Sequence, residues 1–253
     1  MLKNRVIPCL LLQNQGLVKT IRFKEPKYVG DPINAIRIFN EKEVDELIFL
    51  DIIASKVGRS PNFEILQNIV GECFMPLCYG GGISRLEDIQ KIFSLGVEKI
   101  SINSFALKNI DFIKQASEIF GSQSIVVTID VKKNFLEKYK VYDHTRNKIT
   151  DIDPVEFAIT TQEMGAGEIL LNSVDRDGTQ GGYDIDLITK ITNVLSIPVI
   201  AMGGAGKIDD FVDAVKKGNA SAVAAGSMFV FHGKHRAVLI TYPEYQELEK
   251  RLV

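Results

Sequence analysis

Short apolar, β-branched runs recur along the chain, and between them lie longer stretches whose apolar positions repeat at helical spacing. The runs predict strands at Arg5–Leu12, Glu46–Ile52, Pro76–Tyr79, Lys99–Ile102, Ile125–Val131, Glu168–Ser173, Pro198–Met202 and Ala220–Ala225. The helical spacing covers Pro32–Asn40, Asn62–Cys73, Ser84–Leu95, Ile110–Phe120, Pro154–Met164, Ile185–Val194 and Ile208–Lys217. Strands that are apolar throughout, each followed by a helix, imply a parallel sheet covered by helices. Eight such units in 253 residues match an α/β fold of the (βα)8 TIM-barrel type. A doubly wound open sheet uses the same alternation and is the alternative.

An internal repeat favours the barrel. Met75–Phe105 and Ile197–Phe229 follow one plan, with Pro76, Gly81, Gly82 and Gly96 carried onto Pro198, Gly203, Gly204 and Gly218 at a constant offset of 122. The same offset carries Glu46 onto Glu168. Residues 1–253 therefore read as a single domain of two half-barrels, about 1–122 and 123–253. Only the stretch Leu136 to Asp151 breaks the rhythm, and it reads as a hairpin on the loop face.

Each half holds glycines where a strand enters a helix, the arrangement in which backbone N–H groups and a helix amino terminus can hold an oxyanion. The first set is Gly80-Gly81-Gly82 with Asn103 and Ser104; the second is Gly203-Gly204-Ala205-Gly206 with Ala225, Gly226 and Ser227. Two such sets on one barrel mouth imply an elongated ligand with a phosphate at each end, although a strand-to-helix turn can need glycine for its own sake. At the loop-side ends of strands lie Asp51, Asp130, Asp175 and Asp177, each a candidate acid or base, or else a loop hydrogen-bonding group. Asp130 stands out, because it ends an apolar strand and precedes Lys132 and Lys133. The glycine-rich loop Asn172–Asp184, which includes Gly178, suits backbone contacts to a ligand. A basic loop, Lys19–Lys27, follows the first strand and could close over an anion or simply face solvent. On the opposite face Arg5, Glu46, Lys99 and Glu168 each begin a strand and could form a neutral ring of charges.

Composition narrows the partners. The formal net charge of −2 argues against nucleic acid or an anionic membrane as the main partner. Three cysteines without metal-ligand spacing suit reduced thiols in a cytoplasmic protein, and the three histidines (His144, His232, His235) form no metal motif, so neither metal nor organic cofactor is expected. The start, Met-Leu-Lys-Asn-Arg, runs straight into a strand without a signal-peptide pattern, and no apolar run reaches membrane-helix length.

The stretches DELIFLDIIAS, GGGI, VEKISIN, FGSQSIVVTIDVK, GAGEILLNSVDRDGT and GGAGK together resemble the cyclase (synthase) subunit of imidazole glycerol phosphate synthase over nearly the whole chain. The resemblance implies a barrel that pairs with a glutaminase at its amino-terminal face. Ammonia would pass a ring matched here by Arg5, Glu46, Lys99 and Glu168 and travel to a mouth with phosphate contacts at Gly82, Asn103, Ser104, Asp177, Gly178, Gly204, Gly226 and Ser227. There it would attack a phosphoribulosyl-formimino ribotide, giving imidazole glycerol phosphate and aminoimidazole carboxamide ribotide. Of the two aspartates that do the acid–base work in that family, Asp130 matches one, while Leu11 stands where the other is expected; Lys19 matches a substrate-touching loop lysine. An extra residue at the last phosphate turn and an altered tail after Ala224 are further departures.

These departures resemble second-copy paralogues that serve sugar amidation in surface-polysaccharide biosynthesis, beside a glutaminase and a sugar amidotransferase. The leading expectation is thus a barrel that conducts ammonia but has lost histidine-pathway turnover. The alternatives are a genuine cyclase in which Asp51 or Asp177 replaces the missing acid, and a regulatory barrel that activates the glutaminase without conducting ammonia.

Overall fold

The computed structural model describes residues 4–252; the first residues of the chain, expected to lead straight into a strand, and residue 253 lie outside the described residues. In chain order the elements are β1 (Arg5–Gln13), β2 (Gly16–Ile21), β3 (Lys24–Gly30), α1 (Pro32–Glu41), β4 (Leu47–Asp51), α2 (Phe63–Glu72), β5 (Leu77–Gly80), α3 (Leu86–Ser94) and β6 (Lys99–Ile102). Then come α4 (Ser104–Lys108), α5 (Asp111–Phe120), β7 (Ile125–Lys133), β8 (Tyr139–Asp143), β9 (Lys148–Ile149), α6 (Pro154–Glu163), β10 (Glu168–Ser173) and α7 (Ile185–Thr192). The chain finishes with β11 (Val199–Met202), α8 (Ile208–Lys216), β12 (Ala222–Ala225), α9 (Ser227–Val230), β13 (Phe231–His232), β14 (Ala237–Val238) and α10 (Tyr245–Leu252).

Strands β1, β4, β5, β6, β7, β10, β11 and β12 pair in parallel, and the β10–β7 and β12–β1 ladders close them into a (βα)8 barrel rather than an open sheet. Local chemistry starts the helices where expected. Asp31 and Asp153 cap α1 and α6 through their side chains, each followed by a proline that fits the first helical turn.

Side chains alternate across a strand, so one sequence parity faces the barrel interior and the other the helices. On β1, Ile7, Cys9 and Leu11 join Ile48, Cys78, Val126, Leu170, Ile200 and Ala224 in a compact inner cluster. Val6, Leu10 and Leu12 belong to the separate core under the helices. The same parity sets charge at the bottom and chemistry at the top: Lys99, Ser101 and Asn103 rise along the β6 column, and Glu168, Leu170 and Asn172 along the β10 column, with β7 between them.

Two hairpins rise from the top. The predicted one is β8 and β9, with β7 running on to Lys133 to pair with β8. The second was not expected, because the Lys19–Lys27 segment read as a loop. It is instead β2 and β3, an antiparallel continuation of β1. Its tip turns at Arg22 and Phe23, both with positive φ (52° and 62°), without the glycine or asparagine that would mark a hairpin in sequence. Phe23 meets Tyr142 of β8 edge to face at 6.0 Å, so the two hairpins touch above the mouth.

Candidate functional site

At the amino-terminal end, Arg5, Glu46, Lys99 and Glu168 close into one ring. Arg5 donates to both Glu46 and Glu168, while the Lys99 ammonium lies 3.2 Å from Glu46 and 3.0 Å from Glu168. Both glutamates are buried; the two cations are about a quarter exposed. Burial opposes the charge on Lys99, but the two glutamates overcome it and its pKa lies above the ordinary lysine value; the same balance raises Arg5. Both cations are thus held ionised, and the ring is shut by its own ion pairs.

Above the ring the interior is apolar apart from the Ser101 and Thr128 hydroxyls, which share a 2.5 Å hydrogen bond. The interior opens into a mouth cavity whose empty volume, counted with the solvent at its open side, is about 880 Å³. Asp130 sits in its wall at the end of the barrel part of β7 and is 4% exposed. Its carboxylate is fixed from two sides, with Asn172 Nδ2 donating to Oδ1 at 2.9 Å and Asn103 Nδ2 to Oδ2 at 2.8 Å. Two amide donors hold the carboxylate in one orientation, as an acid–base group requires. Leu11 lines the same cavity and puts a hydrocarbon, 8% exposed, where an acid was expected.

The other mouth aspartates are less free than the sequence suggested. Asp51 caps its own loop, accepting from the Ile53 and Ala54 N–H groups at 3.0 and 2.9 Å and pairing with Arg59 at 2.8 Å. Asp175 accepts from the Lys133 N–H at 2.9 Å and ties the β10–α7 loop to β7. These are the loop hydrogen bonds that compete with any catalytic role. Asp177 differs: it lines the cavity, accepts from Thr20 Oγ1 at 3.0 Å, and burial pushes its pKa above the usual carboxylate range. Lys19 is no loop residue. It is buried in β2, its ammonium donates to the Cys9 carbonyl, and burial lowers its pKa.

The two glycine turns flank this mouth. Gly81 and Gly82 have φ of 124° and 74°, Gly203 and Gly204 of 92° and 116°. A Cβ on Gly82 would meet the Arg59 carbonyl at 2.4 Å, and one on Gly204 the Gly182 carbonyl at 2.2 Å, so glycine is needed at both for packing as well as for φ. The first turn, with Asn103 and Ser104, lines the main cavity; the Gly82 N–H already donates to Ser55 Oγ at 3.1 Å. The second turn lines an adjoining smaller cavity with Lys19, Asp177, Gly178, Gly226 and Ser227. Gly226 lies directly over the lysine, since a Cβ there would come within 2.3 Å of Nζ. The altered tail reaches the same edge, where Arg236 donates to the Gly178 carbonyl at 3.3 Å.

Reasoning from sequence missed three contributors. Asn172 orients Asp130, Thr20 holds Asp177, and His144 stands between Asp130 and Ser104. Only His144 carried a signal, as the lone histidine in the segment that interrupts the βα rhythm. Among the described residues no group of three or more His, Cys, Asp or Glu is placed to hold a metal ion, and no helix is long and apolar enough to cross a membrane.

Comparison with known proteins agrees with this geometry. The sequence matches the family described as histidine biosynthesis protein over residues 5–236. A Pseudomonas aeruginosa protein provisionally named imidazole glycerol phosphate synthase subunit hisF2 is 57% identical over 249 residues, covering 98% of this chain and 99% of the relative. A Vibrio vulnificus protein provisionally named subunit hisF3 is 48% identical over 253 residues, covering 100% of this chain and 97% of the relative. A third, from Leptospira borgpetersenii and provisionally named subunit HisF, is 49% identical over 250 residues, covering 98% of each. The chain belongs to the histidine biosynthesis protein family, and within it is a barrel of the kind that forms the cyclase subunit of imidazole glycerol phosphate synthase.

Proposed function

We propose that this barrel, one domain built of two half-barrels, is the synthase-type subunit of a glutamine amidotransferase complex. It takes ammonia from a partner glutaminase docked at the amino-terminal face, and the ammonia serves sugar amidation in surface-polysaccharide biosynthesis rather than histidine-pathway cyclisation. The observation that carries this reading is one barrel with a complete charge ring at its base and, at its mouth, Asp130 facing Leu11. Ammonia needs a passage shielded from water and from protonation, which the apolar interior supplies. Cyclisation needs acid–base groups at two separated atoms, and Leu11 can transfer no proton. Exposed Phe74, Ile119 and Val194, which precede β5, β7 and β11, give the amino-terminal end apolar surface for a partner. A sugar amidotransferase at the mouth would be the final recipient.

A second reading, a working cyclase, draws support from Asp177 alone. It lies beside Leu11 along both cavities, and burial raises its pKa. Its oxygen is already engaged by Thr20, which favours the first reading.

Lys99→Met separates conduction from mere activation of the glutaminase. It removes the ammonium that bridges Glu46 and Glu168 and leaves both glutamates in place. Measured with the glutaminase and the amidating partner present, glutamine hydrolysis is expected to continue while the share of its ammonia that reaches product changes by several-fold. Unchanged coupling would favour a regulatory barrel that carries no ammonia.

A further inference from the structure

The first glycine turn poses an electrostatic problem that one residue solves. An oxyanion bound at Ser104 would lie near the buried carboxylate of Asp130, and like charges in a poorly solvated cavity repel strongly. Two donors of the turn are committed, the Gly82 N–H to Ser55 and the Asn103 side-chain amide to Asp130. His144 stands between the two sites. Its Nδ1 is 3.5 Å from Asp130 Oδ2, and its Nε2 is 3.4 Å from Ser104 Oγ. Nδ1 is buried and makes no hydrogen bond, so the ring carries an unpartnered polar atom within the cavity wall.

The ring is aimed by its turn. Asp143, which ends β8, accepts from the Thr145 N–H at 2.9 Å, the Thr145 hydroxyl at 2.6 Å and the Arg146 N–H at 3.3 Å, which fixes the backbone around His144. Other charged or titratable groups around the cavity are Asp51 and Lys56 from the β4–α2 loop, Lys132 from β7, whose ammonium lies over the Tyr142 ring, Asp177 from the β10–α7 loop, and Tyr142 and Arg146 on its own hairpin. Lys56 is exposed, Asp51 is neutralised by Arg59, and Arg146 is paired with Asp143 on the outside. His144 is therefore the group best placed to bring a positive charge between Asp130 and a ligand at Ser104.

We propose that His144 is the proton-dependent anion-binding residue of the mouth, and that its ligand is a phosphate monoester or an equivalent tetrahedral oxyanion. Protonated imidazole carries an N–H on each nitrogen. One is directed at Asp130 and the other, beside the Ser104 hydroxyl, at the anion, so that the carboxylate holds the cation rather than repelling the ligand. The inference rests on reading the Gly82–Ser104 turn as an anion site, and it adds that occupation of this site takes up a proton.

Inorganic sulfate is the probe, because its charge is constant between pH 6 and 8. Binding to the full chain is followed by calorimetry in all three proteins and at the imidazole resonances of the wild type by NMR, with His144→Gln identifying the ring and a second variant, His144→Lys, carrying a fixed charge. Wild-type affinity at this site should fall as pH rises, by at most about tenfold per pH unit, as one linked proton requires. His144→Gln should bind weakly and His144→Lys well, both without pH dependence over this range. If His144→Gln keeps the wild-type pH dependence, the role of His144 is overturned and the anion turn stands. If sulfate leaves the His144 resonances of the wild type unmoved at pH 6, the anion turn and the inference both fail.

Discussion

Leu11→Asp raises ammonia-dependent cyclisation of the formimino ribotide by about 10²- to 10⁴-fold over the wild type, the range contributed by one positioned acid–base group. Position 11 is ready for such a side chain. It lies opposite Leu50 and Val18 in the ladders of β1 and lines both cavities with Thr20 and Asp177. Asp130 keeps its amide partners, so the proposed second proton-transfer group needs no repair. The substitution also buries a carboxylate beside Asp177, which carries a desolvation cost and pushes the new group's pKa upward. Recovery should therefore be partial and should sharpen at high pH, where the new acid ionises and more of the added ammonium is free ammonia. Assayed with ammonium salt and no glutaminase, the pair of proteins reports on the mouth alone. Equal turnover by wild type and Leu11→Asp would mean that position 11 does not limit the chemistry.

Glu168→Gln lowers stability by about 3 kcal/mol, because it leaves Arg5 and Lys99 sharing one glutamate in a buried setting. Removing one partner of a buried ion pair costs more than removing both, since the survivor keeps its desolvation cost without its counter-charge. The double variant Arg5→Met with Glu168→Gln leaves the Lys99–Glu46 pair intact and should lose less than the sum of Arg5→Met and Glu168→Gln taken singly. Urea unfolding of the four proteins gives the cycle directly. Strict additivity would mean that the ring members act as separate surface pairs rather than one network. The same double variant removes two of the four charges across the base of the barrel, so its stability and its ammonia coupling can be read on one preparation.

The barrel was legible because its strands are apolar on both faces and its helices begin with strong caps, Asp31-Pro32 and Asp153-Pro154 being the clearest. The charge ring was legible because Arg5, Glu46, Lys99 and Glu168 begin strands and share an inward parity that a strand cannot alter without slipping its register. Loop conformation was harder. The turn at Arg22 and Phe23 adopts positive φ without glycine, held by the Arg22 N–H bonding to the Asp177 carbonyl, a contact 155 residues away that no local pattern announces. For the same reason Lys19 looked like a mobile loop residue and proved to be buried in a strand. Among the aspartates the chain alone cannot distinguish a carboxylate capping two N–H groups, as Asp51 does, from one held open to a cavity, as Asp130 is. His144 was overlooked because its neighbours, Asp130 and Ser104, come from β7 and α4, and only the return of the β8–β9 hairpin over the mouth brings the three together.

Ammonia conduction is tested most directly by isotope partition in a preparation that combines the barrel with the proposed glutaminase and sugar amidotransferase. Glutamine labelled with ¹⁵N at its amide is supplied together with an excess of unlabelled ammonium in solution, and the amidated sugar is analysed by mass. Passage through the barrel predicts product that carries the glutamine label almost undiluted, with dilution appearing when the ring is broken by Lys99→Met. Product whose label matches the bulk ammonium pool in the wild-type complex would show that ammonia leaves the glutaminase for solution, contradicting conduction through this barrel.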